Sequence, residues 1–296
     1  MPKRSIIRSK TIFQFYKSLI ALIAVSVALV ACTSNDPALR RNHASKLALD
    51  AGWSRATLEA GKFSLIAFTS PDMAQNNILT IYIEGDGFAW IDASTPSFDP
   101  TPRNPIALRL AIRDPNKAVA YLARPCQYTY DSERNNCRTQ YWTTDRFAPE
   151  VIEATNQAVN QLKTNSGAKK IRIIGYSGGA AVAALVAARR GDVMMLVTVA
   201  GNLDHRAWTK MHGVTPLSGS LNSADYAQAL HSIPQQHYVG GRDTNIDVSI
   251  TQSYVSNFPA PLPFVTVVPS YTHFCCWEDK WPELVNQNFG LPKTTK

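Results

Sequence analysis

Short runs of apolar and β-branched residues alternate with longer stretches of helical spacing through most of the chain. The runs KFSLIAFTS (62–70), ILTIYIEG (78–85), KAVAYLA (117–123) and KKIRIIG (169–175) read as strands, as do VMMLVTVAG (193–201), QQHYVGG (235–241) and PFVTVVPS (263–270). Pro71 and the Asn76-Asn77 pair separate the first two and predict a hairpin-like pairing between them. Helical spacing predicts helices over 104–114, 145–167, 178–191 and 278–288, the second and third ending at glycine. Strand and helix in alternation imply an α/β fold, with a mostly parallel central sheet and helices on both faces. Residues 52–296 read as one domain. Residues 32–51 read as a polar tether with a first helix. The stretch 204–233 has weak periodicity and reads as a small insertion over the site.

Composition changes this picture little. The chain has 296 residues, 45% hydrophobic and 18% charged, an ordinary globular balance. Its net charge of +8 first suggests a nucleic-acid or membrane partner. Lys3, Arg4, Arg8, Lys10 and Lys17 supply most of it, and residues 1–31 hold no acid; without them the charge falls to +3. No basic patch with interleaved aromatics remains, so nucleic-acid binding is set aside.

Those first 31 residues have the layout of an export signal: a basic start, then the apolar run LIALIAVSVALVAC from Leu19 to Cys32. The run is short for a membrane span, which needs about 20 residues. Its end, Leu29-Val30-Ala31-Cys32, resembles the lipobox of bacterial lipoproteins. The resemblance implies a signal peptide over 1–31 and lipid on Cys32, which would tether the protein to the bacterial cell envelope. A plain secretory signal or an anchor helix is the alternative. Thr33, rather than Asp, follows the cysteine, and by the same resemblance this favours the outer membrane.

Four cysteines remain: Cys126, Cys137, Cys275 and Cys276. An even number in an exported chain reads as disulfides, with three possible pairings. A vicinal bridge joins Cα atoms only about 3.8 Å apart, below the usual span of about 4.4–6.8 Å. Crossed pairing avoids that strain. The local pairing, Cys126–Cys137 with Cys275–Cys276, is the expectation. A metal site is the weaker alternative, since no histidine stands at finger-like spacing.

The densest chemical signal is Gly175-Tyr176-Ser177-Gly178-Gly179, a G-x-S-x-G pattern with a strand before it and an alanine-rich helix after it. A serine there sits on a sharp turn, beside the free N–H groups and positive end of a helix. Glycines let strand and helix approach closely. The placement suits a nucleophile; the plainer reading is a helix cap.

With this elbow the chain resembles the α/β-hydrolase superfamily over about residues 60–290, with a minimal cap. The RPCQY segment (124–128) and the Tyr141-Trp142 pair give a narrower resemblance to bacterial lipoprotein serine hydrolases. The superfamily order of nucleophile, acid and histidine implies Ser177, Asp243 and His273 as the catalytic set. Asp243 follows a strand end and two glycines, and Asp247 is the fallback. His273 is the only histidine after Asp243. The resemblance also implies an oxyanion hole from the backbone N–H groups of Asp86 and Gly178. Glu84 stands where the superfamily often has histidine. The Asp86 side chain is expected to point away from the developing charge and tie down its loop.

Several aromatic residues are candidates for a wall over the site: Tyr128, Tyr130, Tyr141, Trp142, Phe88 and Trp90. The alternative is that they pack their loops down. The resulting expectation is a serine hydrolase of carboxylic esters or thioesters, with a small-molecule or lipid-like acyl substrate. No cofactor or metal is implied. A catalytically inactive, hydrolase-like lipoprotein that binds a ligand or envelope partner is the alternative. A redox role for Cys275-Cys276 is weaker, because the pair lacks C-x-x-C spacing.

Overall fold

The structure is a computed structural model that describes residues 35–74 and 76–286. The predicted signal peptide and Cys32 lie outside the described residues. In chain order the strands are β1 (Ser54–Ala60), β2 (Phe63–Thr69), β3 (Ile78–Ile83), β4 (Val119–Leu122), β5 (Lys170–Tyr176), β6 (Val193–Val199), β7 (Gln235–Gly240) and β8 (Phe264–Val268). They form one sheet in the order β1-β2-β4-β3-β5-β6-β7-β8. β1 and β2 run antiparallel, β2 pairs antiparallel with β4, and every pair from β4 to β8 is parallel.

The hairpin expected between 62–70 and 78–85 does not form. β2 turns back on β1 through Gly61-Lys62, and β4 lies between β2 and β3. β1, SRATLEA, escapes the sequence pattern because it is an edge strand with half of its residues open to solvent. β4 is short and wholly buried, so it needs a hydrogen-bonded strand on each side.

The helices are α1 (Pro37–Asp50), α2 (Ile106–Ile112), α3 (Pro149–Ser166), α4 (Gly178–Ala187), α5 (His205–His212), α6 (Ala227–Leu230), α7 (Val248–Val255) and α8 (Trp281–Val285). α3 and α4 cover one sheet face, over Leu65, Ala67, Ile81 and Ile173. α1, α2 and α8 cover the other, over Ile66, Phe68, Tyr82 and Ile174. Burial on both faces explains why β2 and β5 read as continuous apolar runs rather than alternating ones. α7, unmarked in the sequence pattern because VSITQSYV is rich in β-branched and hydroxyl residues, is started by the Asp247 side chain, which accepts the Ser249 N–H at 2.9 Å.

The segment expected to be a polar tether with a first helix is mostly that helix, α1. Asp36 caps it by accepting the Ala38 N–H at 2.8 Å, Pro37 starts it, and Arg40, Ala44 and Ala48 are buried. From residue 36 onward this segment belongs to the packed domain. Among the described residues no helix is long and apolar enough to cross a membrane.

The tightest passage is the turn from β5 into α4. A Cβ on Gly175 would meet Ala180 Cα and the Gly179 carbonyl oxygen, both at 2.4 Å. Backbone atoms cannot yield as a flexible side chain can, so strand and helix would have to separate. Gly175→Ala is expected to lower stability by more than about 2 kcal/mol in urea titration. An unchanged midpoint would contradict this packing.

Candidate active site

The β5–α4 turn fixes Ser177 at φ 53°, ψ −123°, a left-handed backbone that costs a non-glycine residue of order 1–3 kcal/mol. The Ser177 N–H donates to the Val199 carbonyl at 3.0 Å and its own carbonyl accepts from Ala180 and Asn202, each at 3.0 Å. These bonds hold the strained residue in place and leave its Oγ for another partner. That partner is His273, whose Nε2 lies 3.0 Å from Ser177 Oγ.

His273 stands on the loop after β8, and its position is over-determined. Its carbonyl accepts the Tyr176 hydroxyl at 2.9 Å and the Trp277 indole N–H at 3.2 Å. Its Nδ1 lies 2.9 Å from Asp243 Oδ2. Asp243 is 4% exposed, and its other oxygen accepts the N–H groups of Asn245 at 2.9 Å and Ile246 at 2.7 Å. A carboxylate fixed in this way can orient one imidazole tautomer, leaving Nε2 to take a proton from Ser177. The structure thus brings Ser177, Asp243 and His273 into one hydrogen-bonded line. Asp247, the fallback, is engaged at the start of α7. His237 is in the core of β7, 2.7 Å from Thr198 Oγ1, and burial pushes its pKa down to about 3.

Asp86 and Gly178 lie side by side. A Cβ on Gly178 would fall 2.0 Å from Asp86 Oδ1, so any other residue there would have to displace the Asp86 carboxylate from its place. Among the described residues neither backbone N–H has a hydrogen-bond partner. The Asp86 carboxylate does tie down its loop, but it does not point away. It stays next to the elbow and is compensated by two cations: Arg146 at 2.6 Å and Arg124 at 3.2 Å. Burial opposes its ionisation, yet the two guanidinium groups outweigh burial and hold its carboxyl below the ordinary range. Arg124 also donates to the Arg146 carbonyl, and Gln127 donates to the Gly85 carbonyl at 2.9 Å.

These two arginines and Gln127 have roles that sequence reasoning missed, although the RPCQY segment that supplies two of them was visible. A charged residue two positions after a fully buried strand was the available signal. Cys126 and Cys137 are bridged across the loop that follows, and Cys275 and Cys276 are bridged two residues after His273, which is the local pairing. Tyr128, Tyr141 and Trp142 are buried and pack their loop down; Tyr130 is exposed beneath Arg41 and Arg55.

Above Ser177 and His273 opens a cleft of about 410 Å³, walled by Phe88, Trp90, Arg103, Trp208 and Phe274. Trp208 comes from α5, inside the weakly patterned 204–233 stretch. No group of acids, histidines and cysteines among the described residues is arranged to hold a metal ion.

Glu84 lies at the base of the cleft, 1% exposed. Burial raises its pKa to about 7, although the N–H groups of Gly85 and Ala107 and the Tyr121 hydroxyl favour the ionised form. The folded protein therefore binds this proton more tightly than the unfolded chain. The stability it contributes is complete below about pH 4.5 and is lost as pH rises to about 7. Glu84→Gln, which keeps an acceptor for both N–H groups, is expected to remove that slope. The parent should lose about 3 kcal/mol relative to the variant across this window. Parallel melting curves against pH would contradict the assignment.

No protein-family model and no curated protein sequence matches the chain. Solved structures do. An alpha-beta serine hydrolase homologue from Coxiella burnetii superposes with a TM-score of 0.54 at 15% identity, over 78% of this chain and 93% of that one. The esterase Pf2001 from Pyrococcus furiosus gives 0.54 at 16%, over 80% and 90%. Est1E from Butyrivibrio proteoclasticus gives 0.55 at 12%, over 78% and 95%. At such identities the likeness is one of fold, and together with the sheet order it establishes that this chain has the α/β-hydrolase fold.

Proposed function

We propose that the protein is a serine hydrolase that cleaves carboxylic esters or thioesters through an acyl-enzyme on Ser177. The observation that carries this reading is the line Asp243–His273–Ser177, with contacts of 2.9 and 3.0 Å ending on a serine held at positive φ. In this reading Ser177 Oγ attacks the acyl carbonyl while His273 Nε2 takes its proton. The same imidazole returns the proton to the leaving group, and water then repeats the sequence on the acyl-enzyme. The N–H groups of Asp86 and Gly178 would receive the oxyanion. The arginine pair on Asp86 gives that corner a net positive charge. The fold neighbours called esterases support an acyl substrate. The lipobox-like end at Cys32 supports a lipid tether in the bacterial cell envelope, with the outer membrane favoured.

A fluorophosphonate probe tests the reading on the purified protein. Labelling of the parent is expected, with none in Ser177→Ala and a sharp drop in His273→Ala. A folded parent that takes no label would sink the hydrolase reading and favour an inactive, ligand-binding lipoprotein. Arg146→Gln leaves Asp86 half compensated beside the oxyanion site. Its kcat is expected to fall by about tenfold or more with KM little changed. Equal kcat in parent and variant would remove the arginine from the account.

A further inference from the structure

We propose that the mouth of the Ser177 cleft rests on the lipid surface in which Cys32 is anchored, and that its substrates are acyl esters presented by that membrane. This rests on the hydrolase reading and on lipid at Cys32. Asn35 is held at the cleft: its carbonyl accepts Arg40 Nη1 at 2.9 Å, and its side-chain oxygen accepts the Arg103 guanidinium. Arg103 lies 3.8 Å over the Phe88 ring and Arg40 lies 4.9 Å from the same ring. Arg103 and Phe88 both line the cleft.

Cys32 precedes Asn35 by three residues. Three residues reach at most about 11 Å when fully extended. A lipid on Cys32 would therefore bring the bilayer surface within about that distance of the cleft wall. A tether of the length expected from sequence would impose no such limit. The limit arises because Asp36 already caps α1 and the helix is packed into the domain.

The loops that bound the cleft suit such a surface. Phe98 is 88% exposed, Phe274 67%, Ile91 47% and Trp90 39%. Trp90, Ile91 and Phe98 belong to the loop that carries Asp86, and Phe274 follows His273. Single exposed apolar residues need no explanation, but here Trp90 and Phe274 line one opening and Ile91 and Phe98 stand on the same loop as Trp90, and such a group marks an interaction surface. Arg103, whose guanidinium donates to the Asn35 side-chain oxygen, adds a cation at the same rim. Aromatic side chains with arginine are a composition that settles at the lipid headgroup boundary.

The test uses the mature, lipidated protein in vesicles of phosphatidylcholine and phosphatidylglycerol with brominated acyl chains. Tryptophan fluorescence is expected to be quenched relative to unbrominated vesicles, and Trp90→Phe should remove the quenched component. An Ile91→Glu/Phe98→Glu variant is expected to lose quenching. It should also turn over a long-chain 4-methylumbelliferyl ester in the vesicles at least about fivefold more slowly. Its hydrolysis of a short water-soluble ester and its fluorophosphonate labelling should match the parent, which also shows that it folds; Phe98→Ser is the milder substitute if it does not. No quenching, no lipid on Cys32, or unchanged vesicle turnover in the folded variant would each overturn the proposal. If a folded parent takes no fluorophosphonate, the hydrolase reading and the substrate assignment fail, while quenching still decides the docking.

Discussion

The candidate site depends on how closely β5 and α4 approach each other. Gly175 leaves no room for a Cβ, and the chain must then pass through Ser177 with a backbone that few side chains tolerate. That single constraint lifts the serine off the end of the sheet and aims the first turn of α4 at it. Register carries the constraint outward. Ile83 pairs with Gly175, so the end of β3 and the loop from Gly85 to Gly87 are set beside the elbow. Tyr176, next in the chain, holds the carbonyl of His273. The elbow therefore positions both the groups proposed to receive the oxyanion and the proposed base.

A second requirement follows from charge. An aspartate next to a site for developing negative charge is a liability unless it is compensated. Here Arg124 and Arg146 supply the compensation, and both are nearly buried. The loop that carries Arg124 is fixed by Gln127 and bridged at Cys126–Cys137. Glu84, a few residues from Asp86, meets burial in another way, by holding its proton to higher pH. Two acids from one loop thus take opposite protonation behaviour, according to whether guanidinium groups face them.

Much of this was legible in the sequence because it is local. The elbow announces itself by glycines between an apolar run and an alanine-rich helix. Asp243 and His273 follow strand ends that alternation reveals. The chain order of histidines excluded His237, which lies neutral in the core. What stayed hidden is non-local. Nothing in KFSLIAFTS says that its neighbour is the polar strand SRATLEA on one side and β4 on the other, because pairing is decided by the whole sheet. The arginines on Asp86 come from positions 124 and 146, and no spacing rule connects them. The polar stretch before Gly52 read as a tether with a helix rather than as part of the domain because that helix buries only small residues and Arg40, whose guanidinium pairs with Asp99, which leaves a weak apolar stripe.

The central claim is covalent chemistry at Ser177, and the mass of the intact protein tests it most directly. The protein would be mixed with an activated ester, quenched in acid within the first turnover, weighed, and digested to locate any adduct. One acyl group on the peptide that holds Ser177, disappearing as the reaction runs on, is the expected result. An unmodified protein that nevertheless turns the ester over, or an adduct on another residue, would contradict an acyl-enzyme at Ser177.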